Sequence, residues 1–373
     1  MSPPALLAAR ISKTLTAVLV GSLELTHLAP NLSAGFSAAP LDSRFMRSID
    51  RVKAAIAGED LDRPPAGAWG HTYREEWSPE ELARVTIERA RRHGWDFVKL
   101  QPRATFFAEA FGNRYHPSGH RLKGPVLDHA AVSSLEDWSR LELVNQSAFG
   151  DQVRALKLVV EGLGGDVPVI QTVFSPMSAA SYLVDRDSRR LVRELRQHPE
   201  IVLPALEKIA AALIDFNRRN VEAGAAGVFY AISHLATPDA MPLPVYNELL
   251  LPLDRKVLGA LPPQAWFNVL HLCGGRQTIE IARELPIHVL SYACHGRGNP
   301  SLAHARERSG KAVMGGVEQR KTLLSGPAEA IRGQVKEAVR ETGGRRFLLG
   351  PGCSVPPRVR PENLTVMMEA LAG

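Results

Sequence analysis

Cysteine is scarce in this chain: three residues in 373, at positions 273, 294 and 353. A small, odd count argues against a disulfide framework and for a reducing compartment, expected to be cytoplasmic. Long apolar runs are missing too. None approaches the ~20 residues that span a bilayer, so no membrane partner is expected. Aromatic residues make up only 6%, and the basic residues behind the net charge of +6 are mixed with acids, as in "RVTIERARRHGWD". Without a basic face interleaved with aromatics, nucleic acid is not an expected partner. What remains is ordinary globular composition, 45% hydrophobic and 23% charged, enough for one large α/β barrel or two smaller domains.

Residues 1–45 are rich in Ala, Ser and Leu and poor in acids. "LTAVLVGSL" follows Arg10 and Lys13 with a faint likeness to a secretory signal, but Glu24 and Pro30 come soon after and no clean cleavage site stands out. The segment reads as a poorly ordered N-terminal extension, or as the product of a start codon ahead of Met46. Residues 46–373 read as one domain.

From Met46 onward, apolar runs alternate with helical patterns. The candidate strands are Pro64–Gly70, the weakest, then Trp95–Gln101, Val167–Phe174, Ala226–Ile232, Trp266–Leu272, His288–Ala293, Ala312–Val317 and Arg346–Gly352. "SPEELARVTIERARRHG" opens with Ser78 as N-cap, Pro79 at the first helical position and Glu81 three residues beyond the cap, a capping-box pattern. A long amphipathic helix is expected to stop at Gly224. Eight apolar strands alternating with helices predict parallel βαβ units, buried on both faces, closed as a (β/α)8 TIM barrel. A doubly wound sheet is the other solution, but no G-x-G-x-x-G follows the first strand. The stretch Arg103–Asp166 is too long for one crossover and predicts extra helices between strands two and three, one of them in "SLEDWSRLE".

In a barrel the active residues sit at C-terminal strand ends. Cys273 follows the fifth candidate strand, Cys294 the sixth and Cys353 the eighth. His271 shares a face with Cys273, because strand side chains alternate with period two. One imidazole and two thiols suit zinc, and three protein ligands leave a fourth position open, the catalytic pattern. A lone buried cysteine or histidine is also ordinary packing, so the three must converge for the reading to hold. Cys294 and His295 are candidates for a fourth ligand or for packing.

At these residues the chain resembles the uroporphyrinogen decarboxylase superfamily. The likeness covers about Met46 to Gly373 and is carried by "AIAGEDLDRPP", "SPMSAASYLV", "VFYAISHLATPDAMPLPVYNELLLPLDRKVL" and "LLGPGCSVPPRVRPENLTVMMEAL". It implies a TIM barrel and one of two chemistries. The decarboxylase branch uses an F-M-R-Q-A-G-R arginine signature after strand one, an acid after strand two and an L-G-H-G histidine. Here the matching stretches are "HTYREEW", with only Arg74, "LQPRATFF", with no acid, and "LGPGCSV". Tyr182 and Ser233 match a decarboxylase tyrosine and serine, though barrel packing would retain them equally. The other branch resembles the corrinoid:thiol methyltransferases, whose zinc motif is His-X-Cys with a distant Cys. His271, Cys273 and Cys353 match it. The resemblance then implies Zn2+, a small-molecule thiol substrate and a methylcorrinoid as co-substrate. With no D-x-H-x-x-G in the chain, the corrinoid would arrive free or on a separate corrinoid protein.

Other residues at strand ends are weaker candidates. His71, Tyr73 and Arg74 could touch substrate, Arg103 could meet an anion, His234 could move a proton, and Glu318 could line the mouth or begin a helix. Two rivals stand beside methyl transfer: decarboxylation of a porphyrinogen or other carboxylated substrate, and a non-catalytic ligand-binding barrel. Pairing of two barrels into a homodimer is open.

Overall fold

The structure, a computed structural model, describes residues 46–371. The expected N-terminal extension, 1–45, lies outside the described residues.

Seven of the eight apolar runs form one parallel sheet. Its strands are β1 (Val98–Leu100), β2 (Val169–Phe174), β3 (Gly227–Ser233), β4 (Val269–Cys273), β5 (Val289–Tyr292), β6 (Ala312–Val317) and β7 (Phe347–Pro351), side by side in chain order. Every neighbouring pair is parallel, and nearly every strand residue is buried, as both-face coverage by helices requires. The eighth run, Pro64–Gly70, makes only one bridge, between Ala66 and Leu349. Pro64 and Pro65 have no N–H to give, so a regular ladder cannot run through them. The segment still joins the two sheet edges. Leu349 N donates to Pro65 O at 2.8 Å and Gly67 N to Leu349 O at 3.1 Å, while Asp96 N, just before β1, donates to Ala66 O at 2.8 Å. The result is a curled, TIM-barrel-like α/β sheet with an irregular eighth position.

The interior at the N-terminal strand ends is apolar. Phe97, Ile170, Phe229, Phe267, Val269 and Val289 pack there, and the helix Ser48–Ala57 adds Val52 and Ala55 from below. Buried ions pin that helix. Arg51 binds Asp96 at 2.5 Å and Asp62 at 2.6 Å, and Arg63 binds Asp96 at 2.6 Å. Asp96 also accepts from the N–H of Ala66 at 2.9 Å. The Asp62-Arg63-Pro64-Pro65 run thus ties the lead-in helix, the irregular segment and β1 together.

Ser78 caps the helix Pro79–His93 by accepting from Glu81 N at 3.3 Å, and Gly94 ends it in the left-handed region. The reciprocal half of the capping box is not made, because Glu81 pairs with Arg84 instead. The long helix runs Pro199–Glu222, with Gly224 at φ 101. Outside β3, Asp254 accepts from Tyr230 at 2.5 Å and also from Tyr246. This buried triad holds together the "VFYAIS…LPLDRKVL" stretch.

Residues 103–166 contain the helices Phe106–Ala110 and Ser147–Leu163 and a 3-10 turn Glu136–Arg140. They also contain an unforeseen antiparallel hairpin, Arg114–His116 with Val126–His129. Its residues are exposed or half-buried, so no apolar alternation marked it. Among the described residues no helix is long and apolar enough to cross a membrane.

Candidate metal centre

Sheet register assembles the site. Val269 packs in the inner apolar cluster, so period two carries His271 and Cys273 up the same inward face toward the C-terminal end. Ala231 and Ser291 stand opposite His271, and Ser233 stands opposite Cys273. Cys353 follows β7, three strands from β4. The two strand ends converge across the mouth, with Cys273 Sγ 3.7 Å from Cys353 Sγ. The donor atoms of His271, Cys273 and Cys353 all lie within 4.8 Å of one another.

These residues fit a metal on two counts. Thiolates about 2.3 Å from a tetrahedral zinc ion stand about 3.8 Å apart, close to the sulfur separation here. His271 is 3% exposed; its Nδ1 hydrogen-bonds Ser291 Oγ at 3.1 Å, while Nε2 is buried without a hydrogen-bond partner among the described residues. An orphaned buried nitrogen costs about 1–3 kcal/mol unless something engages it. A metal ligand normally has its other ring nitrogen fixed in just this way.

The paired sulfurs share charge unequally. A hydrogen bond from Cys273, followed by the nearby His271, holds the Cys353 thiol well below its ordinary range against the cost of burial. Cys273 is pushed up by the same hydrogen bond and by burial. The pair therefore carries one negative charge readily and resists a second unless a cation arrives. His234 Nε2 lies 3.6 Å from Cys273 Sγ, and the His234 N–H donates to the Cys273 carbonyl at 3.2 Å. The two glycines after Cys273 make this approach possible. A Cβ on Gly274 would sit 2.8 Å from His234 Nδ1, at φ +115, and one on Gly275 would sit 2.6 Å from the Arg297 carbonyl.

Two cavities meet at the sulfurs. The inner one, about 240 Å³, is lined by Lys99, Gln101, Tyr182, Phe229, Ser233 and His271, among others. The outer one, about 250 Å³, is lined by Cys294, His295, Gln319 and Arg320. Both also include His234, Cys273 and Cys353.

Tyr182 lines the inner cavity between Phe174, at 5.4 Å, and the Arg186 guanidinium, at 5.6 Å. Burial pushes its hydroxyl up to about 12, so it is a neutral O–H donor at ordinary pH. Ser233 lines the same cavity from the end of β3. Arg74 is exposed and lines neither cavity. His71 does reach the inner cavity, with Nδ1 2.9 Å from Glu76 and Tyr73 stacked on its ring at 4.7 Å. Arg103 lines neither cavity. It is buried against Glu109, at 2.7 Å, and donates to the Glu76 carbonyl at 2.8 Å. Glu318 does both things expected of it: it lines the outer cavity, and it accepts from the N–H groups of Arg320 and Thr322 to begin the next turn. His295 donates from Nε2 to the Gly316 carbonyl at 3.0 Å, and its hydrogen bond with Cys294 raises it to about 9.

Two residues the strand-end argument passed over belong to the site. Ser291 is fully buried within β5. Lys99, also buried, sits in β1 with Nζ 4.9 Å from the Phe229 ring centroid and hydrogen-bonded to Gln101. Burial lowers its ammonium to about 7. A lysine inside the apolar "FVKL" run was the available signal.

With this geometry in place, likeness to known proteins can be read against it. The family model described as Uroporphyrinogen decarboxylase (URO-D) matches residues 47–373. A uroporphyrinogen decarboxylase from Alkalilimnicola ehrlichii is 27% identical over 363 residues, 86% of this chain and 93% of that protein. A Methylcobamide:CoM methyltransferase, MtaA, from Methanosarcina barkeri is 25% identical over 352 residues, 86% of this chain and 96% of that one. Among solved structures, a methyltransferase from Methanosarcina mazei superposes with a TM-score of 0.74 at 23% identity, over 88% of this chain and 99% of that one; at that identity the likeness speaks for the fold. The chain belongs to the uroporphyrinogen decarboxylase (URO-D) family.

Proposed function

We propose that this chain is a zinc-dependent methyltransferase that moves a methyl group from a corrinoid to a thiol. The observation that carries the reading is the convergence of two sulfurs and one unpartnered imidazole nitrogen at the cavity junction. His271, Cys273 and Cys353 would hold the ion, with Ser291 fixing the imidazole. A bound zinc ion supplies Lewis-acid activation, which keeps a thiol deprotonated near neutral pH.

The chain's own residues have definite tasks in this reading. The inner cavity, about 240 Å³, takes a small thiol. A macrocycle must stay at the mouth, since pockets for larger ligands run to about 300–1,000 Å³. Lys99 offers an amine that burial leaves only partly protonated near neutral pH, Tyr182 offers a neutral O–H, and Ser233 offers a hydroxyl beside Cys273. Trp69 and Phe229, packed edge to face, give the cavity one apolar side. His234, beside Cys273 Sγ and lining the inner cavity, is placed to take the proton that an entering substrate thiol gives up. A methylcorrinoid, free or on a separate protein, would supply the methyl group as co-substrate and would keep the electron pair of the Co–CH3 bond when the thiol sulfur takes the methyl.

Decarboxylation of a carboxylated substrate is the second reading, favoured by the decarboxylase relative at 27% identity. Against it, the run after β1 has no acid, and Lys99 occupies the cavity floor. The test is methyl transfer from methylcobalamin to small thiols. Turnover that stops on chelation and returns with zinc supports the proposal; no transfer, with chelation-resistant loss of CO2 from a porphyrinogen, overturns it.

A further inference from the structure

The largest cavity beside this centre is about 780 Å³ and is unexplained by the proposed chemistry. It lies between the helix Ser188–Gln197 and the loop after β3, and its walls include Arg189, Arg193, Arg196, His234, Thr237 and Asp239. His234 also lines both cavities at the sulfurs, so it stands at the junction of all three.

The helix reads "SRRLVRELRQ" and carries four arginines against one acid. That acid is already engaged: Glu194 pairs with Arg190 at 2.7 Å and accepts from the Trp138 indole at 2.8 Å. Arg189, Arg193 and Arg196 are exposed and have no acidic partner among the described residues. Spaced i, i+4 and i+7, they share one face, and like charges at that spacing repel. Across the cavity, Asp239 is neutralised by Arg276 at 2.8 Å. Just ahead of the helix, Asp185 and Arg186 take left-handed backbone conformations, φ 51 and 64, and Arg186 continues the basic track over Tyr182 into the inner cavity. A row of unrelieved guanidinium groups, in a concave site of ligand size, points to an anionic ligand.

We propose that this groove binds the distal end of a substrate bearing two or more carboxylate or phosphate groups, with its reactive end reaching past His234 to the sulfurs. Guanidinium groups bind such anions bidentately. At a rise of about 1.5 Å per residue, the three arginines stand about 4.5 to 10.5 Å apart along the helix, and their long side chains can gather on one compact polyanion. The assignment does not depend on which reaction the sulfurs support.

Calorimetric titration of the full chain with tripolyphosphate and with propane-1,2,3-tricarboxylate separates the two anion chemistries. Wild type should bind one equivalent of at least one probe. R189Q/R193Q/R196Q should weaken it by about tenfold per guanidinium removed, with an unchanged or slightly higher Tm because repulsion is lost. Arg140→Gln, on an exposed arginine elsewhere, should leave binding intact. Failure of both probes to bind wild type, or equal affinity in the triple variant, overturns the proposal. The titration needs no metal, so its outcome is separate from that of the zinc reading.

Discussion

His271 is the residue on which the site turns. Its ring is stacked on Phe229 at 5.0 Å, tied at Nδ1 to Ser291 and open at Nε2. If Ser291 orients the ring for a metal, Ser291→Ala should lower zinc affinity by roughly 10–100-fold. The fold should survive, because a single buried hydroxyl is lost. Competition against a chromophoric chelator measures this; affinity equal to wild type would remove Ser291 from the account. The three candidate ligands were legible because cysteine is so scarce that each strand-end position stands out. Ser291 was not: nothing in "VLSY" says which residue of the neighbouring strand it faces, and only the ladder register supplies that. The ion pair of Arg103 was hidden for a related reason. Its partner Glu109 is six residues away, and sequence does not show that both are buried together.

Among the elements, the lead-in helix and the irregular Pro64–Gly70 segment depend on one ion network. Arg51→Met would leave Asp62 and Asp96 short of a partner and should cost about 3–5 kcal/mol, read from the denaturant midpoint. A cost below 1 kcal/mol would show that the network is dispensable. The same network predicts acid behaviour. The hydrogen bond from Arg51 lowers the Asp62 carboxyl from its ordinary 3.8 to about 2. A depressed folded-state value stabilises the fold above the ordinary pKa and loses that contribution as pH falls through about 4 to 2. Arg51→Met should flatten this part of the stability–pH curve. Seven strands could be read as continuous apolar runs. The eighth could not be read as regular, since paired prolines forbid the ladder while single backbone bonds still hold the segment in place. The exposed hairpin after Asn113 had no hydrophobic pattern to announce it.

For the whole molecule, one family fold accompanies both decarboxylase and methyltransferase relatives. Fold therefore does not choose the chemistry; residues at the strand ends do. This chain has two sulfurs and an imidazole at its mouth, a lysine on the cavity floor and arginines along the approach. The curled parallel α/β sheet was readable from alternation, and the nearness of His271, Cys273 and Cys353 from their strand-end positions. The cavities were not, since they are made by side chains distant in sequence. The account rests on a single metal held by His271, Cys273 and Cys353, and elemental analysis of the purified full chain tests it most directly. It predicts about one zinc per chain in wild type and almost none in Cys353→Ser, with both proteins folded. A metal-free wild type after zinc supplementation, or a Cys353→Ser variant that keeps its full complement, would contradict it.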